Sequence, residues 1–132
     1  MKKILVLAAM IAATICIGPS WSNASVMIAN WTFETYTSGT TTGSDSPVLF
    51  AEAGIQSGTA KATGRHASNV TSWSNPVGNA SAESFSSNTW ASGDYYQFEF
   101  STIGVTDLTI EFDQFRSSSG PQNFQIQWSS DG

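Results

Sequence analysis

A single histidine is the starting point for any catalytic reading of this 132-residue chain. His66 sits in Gly64-Arg65-His66-Ala67-Ser68, so the residue types of a Ser-His-Asp relay are present: an imidazole, a serine beside it, and several aspartates elsewhere. Such a relay works because a carboxylate orients the imidazole, which then takes the serine proton. No G-x-S-x-G elbow occurs to present a serine on a strained turn. Serine is so common here that its nearness to a histidine carries little information. His66 therefore reads as an exposed loop histidine, and no catalytic residue is assigned. Glu99, Glu111 and Asp113 fall on outward faces of expected strands, where paired carboxylates would suit glycoside hydrolysis. A solvated sheet face shows the same placement, and that is the reading taken. Asp94, Asp107, Asp113 and Asp131 lie near expected strand ends, where oxygen ligands for calcium would converge. Without a D-x-D-x-D loop, neither a metal site nor a cofactor is assigned. The aromatics are more promising. Trp73 and Trp90 fall in expected loops, and Tyr95 faces away from Tyr96, so these three rings are the expected glycan contacts, with Asn and Ser side chains to bond hydroxyls. Trp31 and Trp128 fall on inward rows and read as core.

These side chains need a scaffold, and the composition narrows what it is. Five basic residues stand against ten acidic ones, a net charge of −5, and only 11% of residues are charged. Nucleic acid is excluded as a partner, since phosphate binding needs a basic patch to displace counterions. The start of the chain reads as an export signal: Lys2 and Lys3, an apolar run over 4–17, Gly18-Pro19, then Ser22-Asn23-Ala24 as the cleavage site. The domain division is thus a signal peptide over 1–24 and one domain over 25–132. Cleavage removes Cys16, the only cysteine, and Ile15 before it does not suit lipid attachment. The exported chain is then free of thiols and of membrane segments, with a charge of −7 from three basic and ten acidic residues. About 108 residues suffice for one core without disulfides.

Within that domain the pattern is of strands and turns. Over 26–33, Met27, Ala29, Trp31 and Phe33 alternate with Val26, Ile28, Asn30 and Thr32, which predicts a central first strand. Residues 35–47 read as a mobile loop, 48–55 as a strand or a single helical turn, and 56–79 as irregular. Three alternating rows follow: Tyr96, Phe98 and Phe100; Leu108, Ile110 and Phe112; Phe124, Ile126 and Trp128. Turns at 101–107 and 117–121 separate them. This spacing predicts an antiparallel meander with one face buried against a second sheet, an all-β sandwich of jelly-roll type. Ser130-Asp131-Gly132 is a hairpin turn signal, so the expected sandwich is incomplete at its C-terminus, its last strand awaiting a partner.

The runs GNASAESFSSNTWASGDYYQFEFSTIG and LTIEFDQFRSSSGPQNFQIQWSSDG, with the opening IANWTFETY, resemble the N-terminal β-sandwich region of secreted bacterial PEP-CTERM proteins. The resemblance is strongest after Gly78. It implies a bacterial source and a domain type rather than a reaction, because similar segments precede nuclease or surface-layer modules in other secreted proteins. The Pro-Glu-Pro motif, terminal hydrophobic helix and basic end of that family do not occur here. The expected function is a non-catalytic domain, secreted or held at the cell surface or in the extracellular matrix. Its alternatives are a carbohydrate-binding module contacting extracellular polysaccharide and an accessory N-terminal domain of a larger secreted hydrolase.

Overall fold

A computed structural model describes residues 9–13, 24–36, 39–78 and 81–130 of the chain. Its strands are β1 (Ala9–Ala13), β2 (Ala24–Ala29), β3 (Thr41–Thr42), β4 (Leu49–Phe50), β5 (Lys61–Arg65), β6 (Ser72–Ser74), β7 (Ser86–Ser87), β8 (Tyr95–Glu99) and β9 (Leu108–Ile110). They form three sheets in the orders β2-β1-β9, β3-β6-β7 and β4-β5-β8, and every ladder is antiparallel. Among the described residues there is no helix, so the chain is all-β as its alternation predicts. β1 belongs to the segment read as an export signal. It stands between β2 and β9, with Ile11 opposite Val26 on one side and Leu108 on the other. The charged start, the cleavage residues Ser22 and Asn23, and the turn residues Asp131 and Gly132 lie outside the described residues.

The core forms where small residues let large rings approach the backbone. Ile28 and Ala29 are both fully buried, so β2 is covered on two faces, and Trp31 and Phe33 continue inward beyond it. Trp31 meets Phe98 edge-on at 5.1 Å between ring centres, and its indole N–H donates to the Leu49 carbonyl at 3.2 Å. Gly54, at a φ of 99°, sits so close to the Ile28 backbone that a Cβ there would collide with it. That approach lets residues 52–56 bond back along β2 and Asn30.

Glu52 fixes the exit from this strand. Its carboxylate accepts five hydrogen bonds, from the amides of Thr32, Phe33 and Thr35 and the hydroxyls of Thr32 and Thr35, at 2.5–2.7 Å. Phe33 adopts a left-handed φ of 63° within this bend, a conformation that stands because the carboxylate gathers the surrounding donors. Burial alone would raise the Glu52 pKa, but the donors from Thr32, Thr35 and Phe33 outweigh it and hold the group below the ordinary range.

Several sequence expectations are corrected. Residues 56–79 contain β5 and β6, two of the strands nearest the core, instead of an irregular stretch. Their apolar side is built of Ala62, Gly64 and one tryptophan, which leaves almost no hydrophobic periodicity to read. Within the stretch read as a mobile loop, Gly43 and Ser46 donate backbone bonds to Thr71 and Gly64, and Thr41–Thr42 pairs with β6. Gln97, which alternation places on the face opposite the Tyr96, Phe98 and Phe100 row, is nevertheless buried and donates to Glu99. The largest departure is at the end. Leu108–Ile110 is a short strand, residues 111–130 carry no strand, and Phe124, Ile126 and Trp128 are exposed, Trp128 at 79%. Trp128 is therefore not core. Alternation alone buries nothing without a sheet to face, and among the described residues none covers that row.

Candidate functional site

β5, β6, β7 and β8 meet around one imidazole. His66 follows the last residue of β5 and is 1% exposed, its ring lying 4.7 Å from that of Trp73 and 4.4 Å from that of Trp90. The expectation of an exposed loop histidine is overturned, because these two tryptophans close over it. Its Nδ1 lies 3.3 Å from Asp94 Oδ2 and 3.2 Å from the Thr71 hydroxyl. Its Nε2 lies 3.3 Å from the Ser87 hydroxyl, which is 2.7 Å from the Tyr96 hydroxyl. Thr71 donates to the Ser68 carbonyl and is bonded to Thr89 at 2.6 Å.

Electrostatics fix the protons along this chain. Burial lowers the His66 pKa, against the opposing pull of Asp94 and of the Thr89 and Asn88 backbone, so the ring is neutral near pH 7. With the carboxylate at Nδ1, we assign that nitrogen the proton, which leaves Nε2 to accept from Ser87. Burial also pushes Tyr96 up to about 12, with Ser87 opposing it, so Tyr96 keeps its proton and donates to Ser87.

The order Asp94, His66, Ser87 is that of an acyl-transfer relay. Ser87 is half-buried in β7. The surface depression beside the relay, about 420 Å³, is lined by Ser44, Arg65, His66, Asn69, Gly93 and Asp94 among others, and Ser87 is not in that lining. Asp94 is also occupied as a clasp, since Oδ1 accepts the Ala67 amide at 2.8 Å and Oδ2 the Ala91 amide at 2.6 Å. These bonds tie the end of β5 to the turn before β8. Ser68, the serine beside the histidine in sequence, instead accepts from the Val70 amide. No family model, no curated protein and no solved structure matches the chain.

The three expected glycan contacts separate in space. Trp73 lies in β6 and not in a loop, and it is 2% exposed, with its indole N–H donating to the Gly43 carbonyl at 2.9 Å. A Cβ at Gly64 would run into its ring. Trp73 thus has no free face for a sugar, and its place in the glycan set is withdrawn. Trp90 is half-buried, packed edge-on to Tyr96 at 5.1 Å and to Phe124 at 5.8 Å, and its N–H donates to the Ser87 carbonyl. Tyr95 is half-buried on β8, directly across the ladder from Arg65. Arg65 in turn bridges to Asp45, whose carboxylate takes two bonds from its guanidinium at 2.6 and 2.8 Å. Asp45, Arg65 and Tyr95 therefore make a cross-strand row beside the depression. Glu99, Glu111 and Asp113 are exposed and form no metal-binding group among the described residues. Ser87 and Tyr96 escape sequence reasoning, because nothing distinguishes one serine among many until β7 and β8 bring it to the imidazole.

Proposed function

We propose that the chain is a non-catalytic, exported domain, a β-sandwich of jelly-roll type that acts at the cell surface or in the extracellular matrix, as its resemblance to PEP-CTERM proteins implies. The leader over 1–24 supports export, and the antiparallel all-β build supports the sandwich. The observation that carries the non-catalytic reading is the closure of its most reactive constellation. His66 is packed between Trp73 and Trp90 and only 1% exposed, and the half-buried Ser87 is engaged by both His66 and Tyr96. A serine nucleophile must be reachable, with oxyanion donors about 3 Å from the reacting atom. The relay is thus a structural pin joining the strand ends. Assay of the exported protein on ester, amide and glycoside substrates is expected to give no turnover; an activity abolished by Ser87→Ala would overturn the reading.

A second reading, glycan contact, is favoured by the Asp45–Arg65–Tyr95 row. A half-exposed phenol ring flanked by an ion pair, next to a depression with Asn69 and Ser44, supplies a flat apolar face and polar groups for hydroxyls. Binding on a polysaccharide array that is lost in Tyr95→Ala with the melting temperature unchanged would establish it.

A further inference from the structure

In the β2-β1-β9 sheet β1 is antiparallel to both neighbours, so β2 and β9 run parallel to one another with one strand's width between them. Two inter-strand spacings, about 9.6 Å, separate their axes. Removal of residues 1–24 takes the middle strand away and leaves two facing rows of unpaired backbone groups, a costly state for buried or apolar edges. Direct pairing of β2 with β9 would require them to close one of those two spacings, about 4.8 Å, and would make a parallel ladder. The vacancy instead fits one strand, antiparallel to both.

The chain carries a segment of that pattern. After β9 it turns at residues 117–120, where the Gly120 amide donates to the Ser117 carbonyl at 3.1 Å and the Arg116 guanidinium donates to the carbonyls of Ser117 and Ser118. Residues 123–128 follow that turn, so a ladder between them and β9 would be a hairpin and therefore antiparallel. They alternate Asn123, Gln125 and Gln127 with Phe124, Ile126 and Trp128. Neither strand pairing nor, among the described residues, a backbone hydrogen bond engages 123–128. Phe124 makes an edge contact with Trp90 at 5.8 Å, and the Gln127 side-chain amide donates to that of Gln125.

We infer that, once the leader is removed, residues 123–128 enter the place of β1 between β2 and β9. The inference rests on the leader reading above. The register that sets Leu108 opposite Trp128, Ile110 opposite Ile126 and Phe112 opposite Phe124 puts every apolar residue of the two rows on one face, and every polar residue on the other. It also gives Ile126 the backbone position of Ala9, and Trp128 that of Ile11. The strand position that residues 9–13 hold in the full chain is thus taken by residues 123–128 of the exported one.

The test uses exported protein whose N-terminus is read by sequencing, carrying Ile110→Cys with Ile126→Cys, and separately Ile110→Cys with Gln125→Cys. Material beginning at Ser25 is expected to form the 110–126 disulfide within one chain and not the 110–125 one. In the unsubstituted exported chain, the amides within 123–128 are expected to exchange with solvent on the order of a hundredfold more slowly than in the chain retaining 1–24. Material beginning at Ser25 with no 110–126 bridge and fast exchange would overturn the strand exchange while leaving the leader reading intact. Material still beginning at Met1 would overturn both. A bridge between two chains would move the strand to a second copy and overturn the exchange within one chain.

Discussion

Residues 24–100 supply every buried large apolar side chain among the described residues, although Val48, Phe50, Ile55, Val70 and Val77 within them are exposed, and residues 101–130 supply none. Ile28, Trp31, Phe33, Leu49, Trp73 and Phe98 are all buried, whereas Ile103 is 94% exposed and Phe115 86%. The β8 row and the Phe124–Ile126–Trp128 row alternate in the same way. They differ in what lies opposite. β8 pairs along its length with β5, which presents Ala62 and Gly64, small enough for rings to lie on. The later row has no such partner among the described residues. Burial here is decided by a facing strand with room on it, and the alternating pattern is necessary but not sufficient.

The sharpest way to break this comparison is to damage the ring platform of the first region. Trp73→Ala should lower stability by about 3–5 kcal/mol through lost burial and an unfilled cavity, read as a large fall in the midpoint of urea unfolding. Gly64→Val should be comparably harmful, since the Trp73 ring occupies the space of any Cβ there. An unchanged midpoint in either variant would remove the distinction drawn between the two regions.

The clasp should rank next. Asp94→Ala strands the amides of Ala67 and Ala91 and leaves the imidazole without its carboxylate, for an expected loss of about 2–3 kcal/mol. The loss should appear in thermal and chemical unfolding alike, with no accompanying loss of an enzymatic activity.

Acid should reveal two groups of the first region in turn. The His66 pKa is lower folded than unfolded, so its contribution is complete above about pH 6.5 and is lost as pH falls toward the folded pKa. The Glu52 pKa is also lowered, so its contribution is complete above the ordinary carboxylate range and is lost as pH falls through its folded value. Stability measured against pH should decline in two steps. His66→Gln should erase the upper step and Glu52→Gln should reduce the lower, which Asp45, held low by its bonds from Arg65, shares.

The smallest effects belong to the second region. Phe115→Ser and Ile103→Ser should change stability by no more than about 0.5 kcal/mol, as exposed substitutions do, while reducing self-association of the protein in light scattering. A loss of several kcal/mol would mean that these side chains are covered after all.

These regions also differ in how far they can be read from residues alone. The strand class and the inward course of Trp31, Phe33 and Phe98 follow from alternation of large apolar residues, a strong signal. β5 and β6 do not announce themselves, because alanine and glycine supply the inner side of β5 and one tryptophan that of β6. The pin was half visible. His66 stands out by being alone, and Asp94 by charge, but Ser87 and Tyr96 join them only through the β6–β7 and β5–β8 ladders. Burial of the imidazole was illegible for the same reason, since its lids are Trp73 and Trp90, 7 and 24 residues away in sequence.

Because His66 is the only histidine, its ring can be followed without ambiguity by nuclear magnetic resonance as pH is varied. A closed pin predicts a neutral ring protonated at Nδ1, a pKa below the ordinary 6.5, and a ring proton that exchanges slowly enough to be observed near pH 7. A ring that titrates at its ordinary value, with a proton lost at once to solvent, would contradict the closure on which the non-catalytic reading stands.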